Sequence, residues 1–411
     1  MSCRATSSTR STDGVAPAGG GRGGATTDWS HLLGLAALEL AAAQPHALMP
    51  ALRDALRAAD GSARCGLLLA DYRLDELRRF GDDGPDLPIE GTEHGRCFAA
   101  QRVLPLAAPD TLVAPVSSRG DRIGVLELHL AGLTADGETG TDGARRLGQL
   151  LGHALLATDR VSDVYRTVRR GRSLTLSAEM QWDLLPGRSL DTGYAGIAAQ
   201  LEPAYSVVGD AYDWAVEARG LTALLVDGAG AGVAASSNAA FTVAALRNAR
   251  REGADLAGMA RLADQALHAR HGGTLFASTI LLRLDAATLT LEVVVAGAGT
   301  LLHVGRRGVR VLDVERDPPL GAEEDYPYRP AARVPLEPGD RVLVVSDGLA
   351  DAQIQTELFG ARLPALLQGF RLLGAAEVVR ALVRELRTFH DGQPQQDDAV
   401  VLCLDVSGGR A

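Results

Sequence analysis

From Trp29 to about Ala59, apolar residues recur at helical spacing (Leu32, Leu33, Leu35, Leu38, Leu40, then Leu48, Leu52, Leu56), with interruptions at Pro45 and Pro50. The spacing predicts two short helices, because residues three and four apart share a helix face and proline removes a backbone donor. Residues 1–28 are instead Ser, Thr, Gly and Ala with scattered Arg, and so little apolar surface predicts a disordered tail. Cys65 to Leu69 reads as a strand, and Thr111 to Val116 with Arg122 to Leu130 reads as a hairpin closed by Ser117 to Asp121. After a Gly- and Asp-rich connector, Ala135 to Gly143, apolar residues return at Leu147, Leu150, Leu151, Leu155, Val161, Val164, Tyr165 and Val168. The repeat is about 3.5 residues and predicts a helix joining two domains, open either to pairing with its copy in a dimer or to packing on the next domain. The run Arg166, Arg169, Arg170, Arg172 reads as a solvated face. Beyond Leu185-Pro186 the pattern changes to strands and helices with Gly and Asp at strand ends.

Length adds that 411 residues, at about 150 per domain, imply two or three domains, each able to bury a core. With 46% hydrophobic and 22% charged residues the composition is globular. The 41 basic side chains, all arginine, face 51 acidic ones for a net charge of −10. That balance argues against general binding to nucleic acid or anionic membranes and suits a protein that collects cations. Absence of lysine excludes a Walker-type phosphate loop and Schiff-base chemistry. Cys3, Cys65, Cys97 and Cys403 form no CxxC pair, so neither a zinc site nor a disulfide framework is expected. No apolar run approaches the roughly 20 residues of a membrane span, and no signal-peptide core is present. A soluble, cytoplasmic protein is expected.

Gly124-Val125-Leu126-Glu127-Leu128 in the second hairpin strand matches the G-x-L-x-L strand of GAF domains, and residues 30 to 158 resemble such a domain. The resemblance implies a sensory fold that binds a small ligand or dimerises.

The chemistry gathers further on. Leu221 to Val226 runs into Asp227-Gly228, Arg341 to Ser346 into Asp347-Gly348, and Tyr205 to Gly209 meets Asp210; Asp397-Asp398 precedes the closing strand Ala399 to Leu404. Glycine beside a strand-end carboxylate lets the backbone turn sharply, so carboxylate and carbonyl can face one point. Several carboxylates without histidine or thiolate select Mg²⁺ or Mn²⁺ over zinc, and two such ions about 4 Å apart activate water and clamp a phosphoryl oxygen. Asp-Gly after a strand is also an ordinary turn.

In sequence, Val208-Gly209-Asp210-Ala211-Tyr212-Asp213 matches G-G-D-x-Y-D, and Asp227 to Ala235 matches D-x-x-G-x-G-x-x-A. Ala296-Gly297 with Leu301-Leu302, Leu320-Gly321, Leu336 to Asp340 leading to Ser346-Asp347-Gly348-Leu349, and Gln396-Asp397-Asp398-Ala399 follow in order. Over residues 175 to 407 the chain resembles the PPM (PP2C-like) metal-dependent serine/threonine phosphatases in their SpoIIE-like bacterial branch. The resemblance implies that Asp227 bridges two metal ions, Mn²⁺ or Mg²⁺, with Asp210 and the Gly228 carbonyl on one side and Asp347 and Asp397 on the other. Water activated by the metals is then the nucleophile. Asp213 and Asp398 are outer-ligand or structural candidates. Val208, Ala211, Ala231 and Ala298 depart from the family pattern without removing a carboxylate.

Other readings compete. Gly230 to Ala235 spells G-x-G-x-x-A, the dinucleotide fingerprint, but Asp227 would repel a pyrophosphate there. No G-x-S-x-G elbow supports a serine nucleophile, and His268 and His271 lack a third ligand and read as surface residues. A non-catalytic scaffold or pseudophosphatase is the alternative, although four convergent carboxylates have no structural use without cations.

The expected fold is α/β (α+β): tail 1–28, GAF-like sensor domain 29–143, helical linker 144–185 and a PP2C-like α-β-β-α sandwich 186–411. The expected partners are a phosphoprotein, by resemblance an anti-sigma-factor antagonist, and a second copy through the linker helix and GAF-like domain, with no nucleic acid and no membrane.

Overall fold

The computed structural model describes residues 28–81, 84–131, 138–170, 175–203, 209–393 and 395–408. The expected tail up to residue 27, Cys3, Arg172 and residues 205–208 before Asp210 lie outside the described residues. Two helices open the chain as the leucine spacing predicts: α1 (Trp29–Ala42) and α2 (Leu48–Ala59). The Asp28 carboxylate caps α1, accepting from the Ser30 and His31 amides at 3.1 and 3.2 Å. The break between the helices is a 3-10 turn at Pro45–Ala47. Pro50 causes no break, because it sits in the first turn of α2, where no amide needs an intrahelical acceptor.

Next come β1 (Arg64–Ala70), β2 (Glu76–Arg79), β3 (Leu87–Pro88), α3 (Glu93–Ala100), β4 (Leu104–Pro105), β5 (Thr111–Ser118) and β6 (Asp121–His129). They form an antiparallel sheet in the order β3-β2-β1-β6-β5-β4, with the expected hairpin at β5–β6. α4 (Glu138–Thr158) lies along it, burying Leu147, Leu151 and Leu155 with Trp29, Leu52 and Leu126. Gly148 and Gly152 allow the close approach: a Cβ at either would meet the Pro115 or Ser117 carbonyl oxygen of β5 at 2.1 or 2.4 Å. The apolar repeat is then split, with α5 (Val164–Arg169) and α6 (Leu176–Leu184) as separate helices. The described arginines of the run, Arg166, Arg169 and Arg170, are engaged by acceptors on other elements or the preceding turn. Arg166 pairs with Asp159 (3.2 Å) and Asp183 (2.5 Å), Arg170 pairs with Glu179, and Arg169 donates to the Ala70 carbonyl at 3.0 Å.

The remaining elements are β7 (Ser189–Asp191), β8 (Ala195–Glu202), β9 (Asp210–Glu217), β10 (Gly220–Gly228), α7 (Gly232–Arg251), α8 (Leu256–His271), β11 (Ala277–Asp285), β12 (Thr290–Ala296), β13 (Thr300–Gly305), β14 (Gly308–Val311), β15 (Arg316–Asp317), β16 (Ala332–Pro335), β17 (Arg341–Val345), α9 (Asp347–Ala350), β18 (Gln353–Ile354), β19 (Glu357–Leu358), α10 (Leu363–Gly369), α11 (Ala375–His390) and β20 (Ala399–Val406). One sheet runs β15-β12-β11-β10-β9 with β16 also on β12, the other β14-β13-β17-β20-β8-β7. Alternate residues of each strand face the other sheet: Leu221, Ala223 and Leu225 of β10 meet Val342, Val344, Val400 and Leu402 of β17 and β20 in a shared core. α7 and α8 cover one outer face, α10 and α11 the other. The second unit is therefore an α-β-β-α sandwich. β10 runs antiparallel to both neighbours, which excludes the dinucleotide reading of the glycine run after it, since that needs parallel strands.

The two units touch through several polar and aromatic contacts. Tyr72 stacks on Trp182 at 5.0 Å, Arg122 pairs with Glu377 at 2.7 Å, and the Arg188 amide donates to Asp121 at 3.0 Å. Among the described residues, no helix is long and apolar enough to cross a membrane.

Candidate active site

Antiparallel register places Asp210 of β9 directly opposite Asp227 of β10. Residues so paired have Cβ atoms about 5 Å apart, and both belong to the alternating set that points between the sheets, continuing Tyr212 on β9 and Leu221, Ala223 and Leu225 on β10. The charge of Asp227 acts on Asp210 across this pair. Asp210 is 1% exposed and its Oδ2 has no partner. Burial, then the charges of Asp227 and Asp398, push its pKa well above the carboxylate range, against a hydrogen bond from Ser346. Burial, then Asp347, Asp397 and Asp398, push Asp227 up to about 7.

The other sheet delivers its acids to the same corner. Ser346-Asp347 directly follows β17, and Asp397-Asp398 leads into β20, its neighbour in that sheet. Burial and the charge of Asp347 raise Asp397 to about 6. Gly348 keeps the two loops in contact: a Cβ there would stand 1.9 Å from the Asp398 carbonyl oxygen. Beside Asp347 and Asp397 opens a cavity of about 600 Å³, also lined by Gln353, Gln355, His390 and Gln395.

Asp213 is not part of this corner. Three residues from Asp210, it falls on the opposite face of β9, where Arg247 grips both its oxygens (2.8 and 3.1 Å) and Arg250 adds a third contact at 3.1 Å. Asp398 does belong to it: its Oδ2 accepts from the Gly209 amide (3.1 Å) and from Gln181 (2.8 Å). Gly228 packs under α7, where a Cβ would meet the Ala239 nitrogen at 3.0 Å.

Gln181, Ser346 and Gln395 escape a motif reading. Gln181 of α6 donates to both the Asp210 carbonyl (3.0 Å) and Asp398. The Ser346 hydroxyl accepts from the Val400 amide at 2.9 Å, and Gln395 donates to the Asp397 carbonyl at 2.5 Å. No sequence motif marks them, since tertiary packing decides what Gln181 and Ser346 meet and Gln395 acts on a neighbouring carbonyl.

The donor set is all oxygen, desolvated and mutually repelling, and includes an unpartnered buried carboxylate oxygen. That chemistry fits a hard divalent cation. Asp347 and Asp397 each turn one oxygen to a neighbouring amide, that of Gly348 (2.9 Å) or Asp398 (2.8 Å). Among the described residues, no group of three or more His, Cys, Asp or Glu side chains stands arranged to hold a metal ion.

Residues 217–407 match the family model of Stage II sporulation protein E (SpoIIE). Asp227, Gly228, Asp347 and Asp397 fall inside the match, and Asp210 lies just before it. No curated protein matches the chain. Solved structures that resemble it include the SiaA PP2C domain of Pseudomonas aeruginosa, at 23% identity over 51% of this chain and 86% of that one, TM-score 0.46. The RsbU and RsbW domains of Rv1364c from Mycobacterium tuberculosis give 22% identity over 53% and 61%, TM-score 0.46. The PP2C phosphatase domain with a regulatory fragment of SpoIIE from Bacillus subtilis gives 19% over 52% and 64%, TM-score 0.47. The chain spans less than two thirds of the last two.

Proposed function

We propose that the protein is a metal-dependent protein serine/threonine phosphatase. One observation carries the reading: Asp210 and Asp227 face each other across β9 and β10 at the corner where β17 and β20 deliver Asp347, Asp397 and Asp398. Asp210, Asp227, the Gly228 carbonyl, Asp347 and Asp397 would hold two Mn²⁺ or Mg²⁺ ions. When bound, such ions lower the pKa of a water and neutralise phosphoryl oxygens.

The chain's own residues do the rest. Gln181 and the Gly209 amide fix Asp398, while Ser346 ties the end of β17 to β20. The glutamine-lined cavity beside Asp347 and Asp397 offers amide donors and acceptors to the peptide around a phosphoserine or phosphothreonine. No side-chain nucleophile is required of the protein.

By resemblance, the substrate is a phosphoprotein of the anti-sigma-factor-antagonist kind, met in the cytoplasm. The first unit, with its six-stranded antiparallel sheet, is a GAF-like sensor regulating the sandwich, and it pairs with a second copy together with the helices that follow it. The tail, sensor, linker and phosphatase boundaries at 28, 143 and 185 belong to the same reading. Phosphate release from a phosphoserine peptide, a phosphothreonine peptide and a phosphotyrosine peptide, with Mn²⁺ or with chelator, tests it. Mn²⁺-dependent release from the first two supports it; release unaffected by chelator contradicts it. That Asp347 and Asp397 each engage one oxygen with the next residue's backbone amide favours the alternative, a partner-binding pseudophosphatase, which predicts partner capture without release of phosphate.

A further inference from the structure

Glu202 ends β8, and only 5% of its side chain is exposed. In a chain without lysine, its carboxylate receives two guanidinium groups from different units. Arg73, in the loop between β1 and β2, donates to Oε1 at 2.7 Å. Arg387 of α11 donates to Oε1 at 2.9 Å and Oε2 at 2.5 Å. Arg387 also reaches back to that loop, donating to Asp75 at 2.5 Å and to the Arg73 carbonyl at 3.2 Å.

The loop is preformed for this role. Asp71 accepts from the Asp75 and Glu76 amides at 2.8 and 3.0 Å. Gln200, also on β8, donates to the Arg73 carbonyl at 3.2 Å.

The other side of Glu202 faces the acidic corner. Its backbone pairs with Ala399, the residue after Asp398. Its carbonyl accepts from Gln395 at 3.2 Å, and the same amide nitrogen donates to the Asp397 carbonyl at 2.5 Å. A charged cluster from the first unit is therefore two hydrogen bonds from the main chain of Asp397.

We propose that Glu202 is a positioning residue: seating of the β1–β2 loop on Glu202 and Arg387 holds the end of β8 and, through Gln395, fixes the Asp397–Asp398 segment for cation binding. This rests on the phosphatase reading and names one route by which the first unit regulates the site. Undocking of the loop leaves a buried carboxylate with half its partners, and the β8 end loosens together with residues 395–398.

The test uses the full chain and three variants: Glu202→Gln, Arg73→Gln and Arg122→Gln. Arg122 joins the units elsewhere, through Glu377, and serves as the control. Hydrogen exchange is followed at the amides of residues 396–400, and Mn²⁺ affinity is read by calorimetry. Losing a charged hydrogen bond predicts exchange faster by about tenfold in Glu202→Gln and several-fold in Arg73→Gln, with weaker Mn²⁺ binding in both and neither change in Arg122→Gln. Unchanged exchange in Glu202→Gln, or equal acceleration by Arg122→Gln, overturns the proposal. If Glu202→Gln fails to fold, Arg73→Gln decides alone, since its side chain is 44% exposed. Expected exchange with no Mn²⁺ binding by the parent rejects the phosphatase reading and the cation-binding role while sustaining the mechanical link. Mn²⁺ binding with unresponsive exchange rejects the link alone.

Discussion

Adding one methyl group at Gly348 probes how closely the loops carrying Asp347 and Asp397 must approach. The new Cβ would lie 1.9 Å from the Asp398 carbonyl oxygen, 3.0 Å from its carbonyl carbon and 3.2 Å from the Asp397 Cβ. Real Cβ contacts essentially never fall under 3.0 Å, so the loops must part by about 1 Å. The obstacle is main chain, anchored by β20 in register with both β17 and β8, and a rotamer change cannot relieve it. Overpacking of this kind costs about 1–3 kcal/mol of stability, and a 1 Å misplacement of reacting groups costs roughly 10²-fold in rate. Phosphatase kinetics and urea unfolding on Gly348→Ala measure both. Turnover within about threefold of the parent, about 0.65 kcal/mol or less in free energy, would refute the requirement that Asp347 and Asp397 stand where this geometry puts them.

Four further outcomes follow from the same structure. Gly34→Ala, in the exposed middle of α1 with nothing within 4 Å of the new Cβ, should raise stability by about 0.5–1 kcal/mol and leave turnover alone. Asp213→Asn should cost about 3–5 kcal/mol, because Arg247 and Arg250 lose a buried partner, yet leave Mn²⁺ affinity within the error of calorimetry. Burial alone would raise the Glu127 pKa, but hydrogen bonds from His94 and Arg79 outweigh it and bring it from 4.5 to about 2. Its folded value is depressed, so its contribution is present above pH 4.5 and lost as pH falls toward 2; Glu127→Gln should flatten the change in urea midpoint across that window. Mn²⁺ at about a hundred times its dissociation constant should stabilise the parent by about 2.7 kcal/mol, measured as a shift in melting temperature, and Asp227→Asn should abolish the shift.

Strand-end carboxylates were legible because an apolar run that stops at Asp-Gly shows both the strand and its end. Register then did what no linear pattern announces, setting Asp210 opposite Asp227. The fate of Asp213 was also readable: an odd separation from Asp210 along a strand sends the two to opposite faces, toward the arginines of α7. The long apolar repeat misled because spacing alone does not reveal that Gly148 and Gly152 seat α4 on β5 or that the chain turns before α5. Arg166, Arg169 and Arg170 looked solvated because their acceptors, Asp183, Glu179 and the Ala70 carbonyl, lie on other elements. Gln181 and Glu202 were invisible for the same reason, their partners being distant in sequence and chosen by tertiary packing.

The most direct test of the account is hydrolysis of an aryl phosphate by the native chain and by Asp227→Asn, each with and without Mn²⁺. The account predicts turnover by the native chain only with Mn²⁺, and its loss in Asp227→Asn. Equal Mn²⁺-dependent turnover by both chains would contradict the assignment of the Asp210–Asp227 corner as the catalytic centre.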